Sequence, residues 1–330
     1  IRLKPQRKWV WVAGAVLQAV AALALALLAL MGSGAIGGSL VLAALVMLSL
    51  ARGLSSIATK DVLGKTIAKR RRGTLMGWSG SVAGGATLVA GGVLMWFGDR
   101  PGNLALAILL GVAAAGWLLN ALCAARIKEV PGSIEGGENA WDSIKLGLSL
   151  LREDRTFLHF NVARALLLSS ALALPYLALL GQQQSGTELG GLGILVVVSG
   201  LAAMVASPIW GKRADQSSRR VMRDAAVGTV LCCLLGAALA WLPGDWTQSV
   251  LPYAAIYALL VIVHHGVRLG RKTYLVDIAS QDNRALYVAL SNTLTGVLML
   301  VVGGIIGALA QWLGSAMLLV VLALTALGAM

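Results

Sequence analysis

Six residues set in otherwise apolar stretches carry the side chains best suited to recognise a polar solute: Arg52, Asn161, Arg164, Tyr257, His264 and Asn292. An ionisable group near the middle of a hydrocarbon-spanning helix costs about 2.5–3.5 kcal/mol on insertion scales, so it needs a partner, water or a function. Arg164 stands two turns into an apolar run, near Asn161 and Ser169, with no acidic residue in its own stretch. Its planar guanidinium can face an anionic solute group. Alternatively it can snorkel to the interface, about 10 Å away at 1.5 Å per residue. His264, next to His265, can carry a proton in the physiological range or serve structurally. Tyr257 and Asn292, with Thr293 and Thr295, can hydrogen-bond a solute or a neighbouring helix. None of the 14 acidic residues falls in the middle of an apolar run, so a proton-coupling carboxylate is not visible. There is no HExxH, no P-loop, no GxGxxG after a strand and no paired acidic motif. The expectation is therefore a protein with no catalytic residues, no metal site and no cofactor, and with no ATPase partner implied.

These residues must be positioned by elements made for lipid. Of 330 residues 58% are apolar and only 12% charged, with 40 glycines, too apolar for a soluble domain of this length. About ten stretches are long enough to cross a bilayer: 9–31, 38–58, 74–97, 103–124, 157–181, 188–210, 221–242, 249–270, 286–311 and 315–330. The alternating pattern of lipid-facing barrel strands is absent, which leaves helices to satisfy the backbone. The fold class expected is all-α, a polytopic membrane helical bundle.

The net charge of +13 does not point to nucleic acid, because 24 of the 27 Lys and Arg residues lie in 1–8, 59–73, 125–156, 211–223 and 268–284. A ten-crossing arrangement puts those segments on one face. The positive-inside rule makes that face cytoplasmic, with the first residue and the central connector inside and the plasma membrane, or inner membrane, as the location. Cys123, Cys232 and Cys233 all fall in apolar stretches and read as packing residues.

Sliding the chain by 212 residues superposes Lys60 on Lys272, Leu63 on Leu275, Arg72 on Arg284, Ser79 on Ser291, Gly84 on Gly296, and Arg7-Lys8 on Arg219-Arg220. One offset aligns both helices and connections, the mark of a two-fold internal repeat. It predicts twelve crossings in a 6+6 pseudo-two-fold arrangement, of which about ten are present. Residues 1–124 then read as an N-terminal six-helix half whose first two helices are missing. Residues 125–156 are a connector, in which Trp141, Ile144, Leu148 and Leu151 share the face of an interfacial helix or lie in a flexible tether. Residues 157–330 are the C-terminal half, its last helix cut short.

This layout resembles the major facilitator superfamily, and GKRADQSSRR, from Gly211 to Arg220, resembles that family's signature between the second and third helices of each half. Gly211, Asp215, Arg219 and Arg220 match it, while Gln216 stands where a basic residue is commoner. The first-half copy would put Leu3 opposite Asp215. Gly211 permits close helix approach, and Asp215 can pair with basic groups or a helix N-terminus to hold a cytoplasmic gate. The resemblance also implies that 38–58, 157–181 and 249–270 line a central cavity, which places Arg52, Arg164 and His264 there. It implies a secondary transporter working by alternating access, whose partners are a small solute, a possible coupling proton or ion, and membrane lipid. Arg52 and Arg164 favour an anionic or zwitterionic solute, although a hydrophobic one fits so apolar a lining. A ligand sensor without flux is the alternative.

Overall fold

The computed structural model describes residues 6–31, 35–96, 102–131, 149–185, 192–244, 249–279 and 284–330. Among them the secondary structure is helical throughout: α1 (Lys8–Met31), α2 (Ala35–Thr66), α3 (Lys69–Trp96), α4 (Asn103–Ala125), α5 (Arg155–Leu166), α6 (Ser169–Ser185), α7 (Leu192–Trp241), α8 (Val250–Ile278) and α9 (Arg284–Leu327). Seven helical stretches are long and apolar enough to cross a membrane, fewer than the ten separate crossings expected. Two of them each join a pair of the expected segments. The backbone of α7 leaves the helical region at Ser217, and that of α9 at Gly314, where φ is 73° and glycine is favoured. The glycine- and serine-rich α3 is not among the seven. Of the residues expected to form a connector helix, Trp141, Ile144 and Leu148 lie outside the described residues, as does Leu3.

Large apolar side chains cover the outer surface, among them Leu27, Leu42, Leu50, Leu122 and Leu300. In water this would be a severe liability; in hydrocarbon it is the matching solvent. Trp96 and Trp241 lie exposed at the C-terminal ends of α3 and α7, and Trp312 just before the break in α9 at Gly314, as interfacial tryptophans do. The α2 helix has 32 residues, a length of about 48 Å against a hydrocarbon core of about 30 Å. Its polar C-terminal turns, with Lys60, Asp61 and Lys65, account for the excess.

The chain divides into two compact units. The first comprises Ile1–Ala68, Trp96–Gly147 and Ala279–Leu290. Here α1 packs against α2 and α4 through small residues such as Ala15, Ala19 and Ala22. The buried Gln18 amide donates to the Gly14 carbonyl at 3.1 Å and to Ser55 Oγ at 3.0 Å, clamping α1 to α2. At one end Arg7, Asp61, Lys65 and Glu129 form an ion cluster. Arg7–Asp61 is 2.7 Å, Lys65–Asp61 2.6 Å and Lys65–Glu129 3.2 Å, all nearly solvent-free. Glu129 also accepts the N–H groups of Arg7 at 3.0 Å and Lys8 at 2.7 Å, which caps α1.

The second unit comprises Lys69–Met95, Leu148–Ile278 and Ser291–Met330. Leu177, Cys232, Cys233, Tyr253, Leu260, Leu318, Leu319 and Leu322 form its core, where α6, α7, α8 and the end of α9 meet. Cys232 and Cys233 are therefore packing residues, whereas Cys123 is exposed on α4.

The α3 helix runs antiparallel to α7, nearly backbone to backbone. A Cβ on Gly77 would meet the Ser207 carbonyl at 2.6 Å, one on Gly91 the Val197 nitrogen at 2.8 Å, and one on Gly200 the Gly84 carbonyl at 2.8 Å. Ser81 Oγ donates across the seam to the Met204 carbonyl at 2.6 Å. In lipid, where apolar burial drives little association between helices, such close approach is a main source of helix pairing.

Candidate functional site

Two constellations of polar residues stand out in the second unit. The first is built around Arg164 on α5. Asp154 caps that helix by accepting from the Phe157 N–H at 3.0 Å, and the helix ends at Leu166. The chain turns through Leu167 and Leu168 before α6 begins. At the turn Ser169 Oγ donates to the Leu166 carbonyl at 2.8 Å and Ser170 Oγ to the Leu167 carbonyl at 2.9 Å. An apolar span of 30 residues, Arg155–Gln184, is thus interrupted near its middle. Interrupted spans bring backbone polar groups and polar side chains to membrane depth.

Half-buried Arg164 lies less than one turn before this break. Its Nη1 donates to Ser291 Oγ at 2.6 Å and its Nη2 to Asn292 Oδ1 at 3.2 Å. Ser291 Oγ donates in turn to Asn161 Oδ1 at 2.8 Å, and Asn161 Nδ2 donates to the Phe157 carbonyl at 2.8 Å. Three of the residues singled out in the sequence are therefore brought together: Arg164 bonds Asn292 directly and reaches Asn161 through Ser291. His264 on α8 lies with its Nδ1 3.1 Å from Ser170 Oγ at the helix break. Tyr257, two turns earlier on α8, packs against the apolar core. Arg52 is exposed on α2 and belongs to the first unit.

The second constellation is the segment Gly211–Arg220, which is helical on either side of Ser217. Asp215 Oδ1 accepts the Gly73 N–H at 2.6 Å, and Oδ2 accepts the Thr74 N–H at 2.7 Å together with the Thr74 hydroxyl. The carboxylate therefore sits on backbone donors in the second turn of α3. Gly211 is buried within α7 and its part is close approach. A Cβ there would meet the Gly73 carbonyl at 2.5 Å and Gly77 Cα at 2.9 Å. Arg219 and Arg220 are exposed, and Arg220 N–H donates to Ser217 Oγ at 3.2 Å. Beside them Asp277 accepts from Arg72 at 3.2 Å and from Ser218 Oγ at 3.1 Å.

Several participants were not singled out by sequence reasoning. Ser291 was visible only as the repeat partner of Ser79. Gly73 looked like the end of a basic segment and Thr74 like the start of an apolar run, and the hydroxyls of Ser169 and Ser170 gave no sign of a helix break. Among the described residues no group of His, Cys, Asp and Glu could hold a metal ion.

No curated protein matches the chain. Among solved structures it is similar to a bacterial homologue of the iron transporter ferroportin in its outward-facing state, with 16% identity, TM-score 0.71, and coverage of 99% of this chain and 82% of that one. The human organic anion transporter MFSD10 (TETRAN) gives 16% identity, TM-score 0.72 and coverage of 98% and 80%. The E. coli fucose:proton symporter gives 14% identity, TM-score 0.64 and coverage of 97% and 84%. These likenesses establish a shared fold. Residues 5–270 match the sequence family Major Facilitator Superfamily. With apolar helices, the transporter fold and a family match over most of its length, the chain belongs to the Major Facilitator Superfamily, a family of multi-pass membrane transporters.

Proposed function

We propose that the protein is a secondary active transporter that moves a small solute by alternating access of two helical halves, residues 1–124 and 157–330, joined by the connector 125–156. The solute is contacted by the cluster of Asn161, Arg164, Ser291, Asn292 and His264. Arg52 and Tyr257 are further candidates on the lining. Asp215, with Gly211, Arg219 and Arg220, forms a latch that closes the basic end of the molecule. The positive-inside rule makes that end cytoplasmic in a plasma membrane.

One observation carries the reading: a half-buried arginine inside an apolar span, held by neutral hydroxyl and amide partners beside a break in its own helix. A purely structural arginine at that depth would be expected to bond a carboxylate or backbone carbonyls. A guanidinium oriented by neutral groups keeps its charge available.

The test is solute counterflow in proteoliposomes, with sugars, organic anions, amino acids and lipophilic cations as candidates, at two pH values. The expected result is exchange confined to one chemical class. A pH gradient that drives accumulation would add proton coupling, and an ion gradient that does so would name the coupling ion. A compound that stabilises the protein against heat yet is never exchanged would support the alternative, a ligand sensor without flux.

A further inference from the structure

The packing of α5 against α8 brings two guanidiniums, Arg164 and Arg271, to one level. Two contacts fix the register of these helices. The Phe160 and Tyr274 rings lie 5.5 Å apart, and Ser170 meets His264 at 3.1 Å. Residue numbers therefore rise along one helix as they fall along the other. Arg164, one turn beyond Phe160, comes level with Arg271, about one turn before Tyr274. The two side chains act on one another electrostatically, and Arg271 also feels Arg268.

No carboxylate among the described residues pairs with either. Among the described residues the ion pairs involve Arg7, Lys65, Arg72, Arg213 and Arg223, and neither Arg164 nor Arg271. The acid on α8, Asp277, is already engaged by Arg72 and Ser218. A guanidinium has five N–H donors. Ser291 and Asn292 engage two of those on Arg164, while Nε is buried without a hydrogen-bond partner. Like charges at this depth repel strongly because little water screens them, and an anion between them converts the repulsion into attraction.

Resting on the solute-binding role given to the Arg164 cluster, we propose that the solute carries an oxyanion, a carboxylate or phosphoryl group, gripped jointly by Arg164 and Arg271. The planar fork of arginine matches the paired oxygens of such groups. Ser291 and Asn292 aim the Arg164 fork, and a neutral solute would leave both charges unanswered. A lipid headgroup phosphate has the same chemistry, so the test must separate the two sources.

The protein is reconstituted in phosphatidylcholine nanodiscs and its thermal unfolding followed with benzoate, succinate and inorganic phosphate, beside the neutral benzamide and succinamide. Arg164→Gln and Arg271→Gln are compared with the parent. The expected result is that at least one anion raises the unfolding temperature while its amide does not. Each substitution weakens that anion's apparent affinity by about tenfold or more. Arg271→Gln removes no ion pair among the described residues, so it carries the test if Arg164→Gln fails to fold. The inference is overturned if no anion protects, if amides protect equally, or if neither substitution changes affinity. It is also overturned if phosphatidylglycerol in the disc abolishes protection by every soluble anion, since the site then belongs to lipid. Proteoliposome flux separates this from the transport reading. An oxyanion bound but never moved refutes transport and keeps the site, whereas a neutral solute that is moved refutes the oxyanion and keeps transport.

Discussion

Two carboxylates in this molecule do the same thing to a helix in opposite surroundings. Glu129 divides its oxygens between the N–H groups of Arg7 and Lys8 at the start of α1, and Asp215 divides its own between those of Gly73 and Thr74 in the second turn of α3. Around Glu129 the charges balance within a nearly solvent-free cluster of Arg7, Asp61 and Lys65. Asp215 has no ion pair among the described residues. Its partners are the backbone of Gly73 and Thr74 and the Thr74 hydroxyl. Even the internal repeat shows the divergence, because the offset that superposes Arg7 on Arg219 matches a buried, paired side chain with an exposed one. A cap locked by buried ion pairs is an anchor, since opening it strands charges away from water. A carboxylate held by hydrogen bonds alone can let go at modest cost, which is what a gate requires.

The comparison is broken most severely from the Glu129 side. Replacing Asp61 by Ala leaves Arg7 and Lys65 in a nearly dry site without their shared partner. A loss of about 3–5 kcal/mol is expected, read as a large fall in unfolding temperature and folded yield. Gly77→Val attacks the other region. Its side chain would collide with backbone of Ser207 and Gly211, and overpacking of this kind costs about 1–3 kcal/mol. The unfolding temperature should fall less than for Asp61→Ala, and engineered thiols along 196–210 should label faster as α3 and α7 separate.

Asp215→Asn is the sharper test of the latch, because it keeps the shape and removes the charge. It should cost about 1–2 kcal/mol through the lost charge-assisted bonds. Melting should fall by a few degrees while labelling along 196–210 rises several-fold; unaltered labelling rejects the gate role. The smallest effect belongs to Arg213→Ala. Its partner Asp224 is at 2.6 Å, but the arginine side chain is 53% exposed. Screening leaves such a pair at about 0–1 kcal/mol, so melting and labelling should match the parent, and a marked change would show that the basic end is more tightly coupled than this account allows.

Much of this was legible in the sequence, for definite reasons. Apolar length gives the helical class because lipid leaves the backbone no other partner. The spacing of Gly211, Asp215 and the following arginines drew attention to the Asp215 segment, and the rarity of Asn161, Arg164 and Asn292 in apolar runs drew attention to residues that the fold brings together. The rest depended on partners that spacing does not name. Hydropathy distinguishes apolar from polar but not which helix a glycine face meets, so the seam of α3 with α7 was hidden. Arg271 looked like one more basic residue in a connecting segment, because the sequence does not show that α8 continues through it to Ile278. The segment from Gly211 to Arg220 read as a loop, yet it is helical around a single extended residue, Ser217. The helix break after Arg164 was invisible because serine is tolerated in helices and only its hydrogen bonds reveal the turn.

The central claim is that the Asp215 contact with α3 opens during the working cycle and the Glu129 cap on α1 does not. Amide hydrogen exchange on the reconstituted protein tests it most directly, comparing Arg7 and Lys8 with Gly73 and Thr74, with and without a bound solute. The account predicts that exchange at Gly73 and Thr74 changes several-fold with solute while Arg7 and Lys8 stay equally protected throughout. Equal protection at both ends under every condition, or opening at Arg7 and Lys8 first, would contradict it.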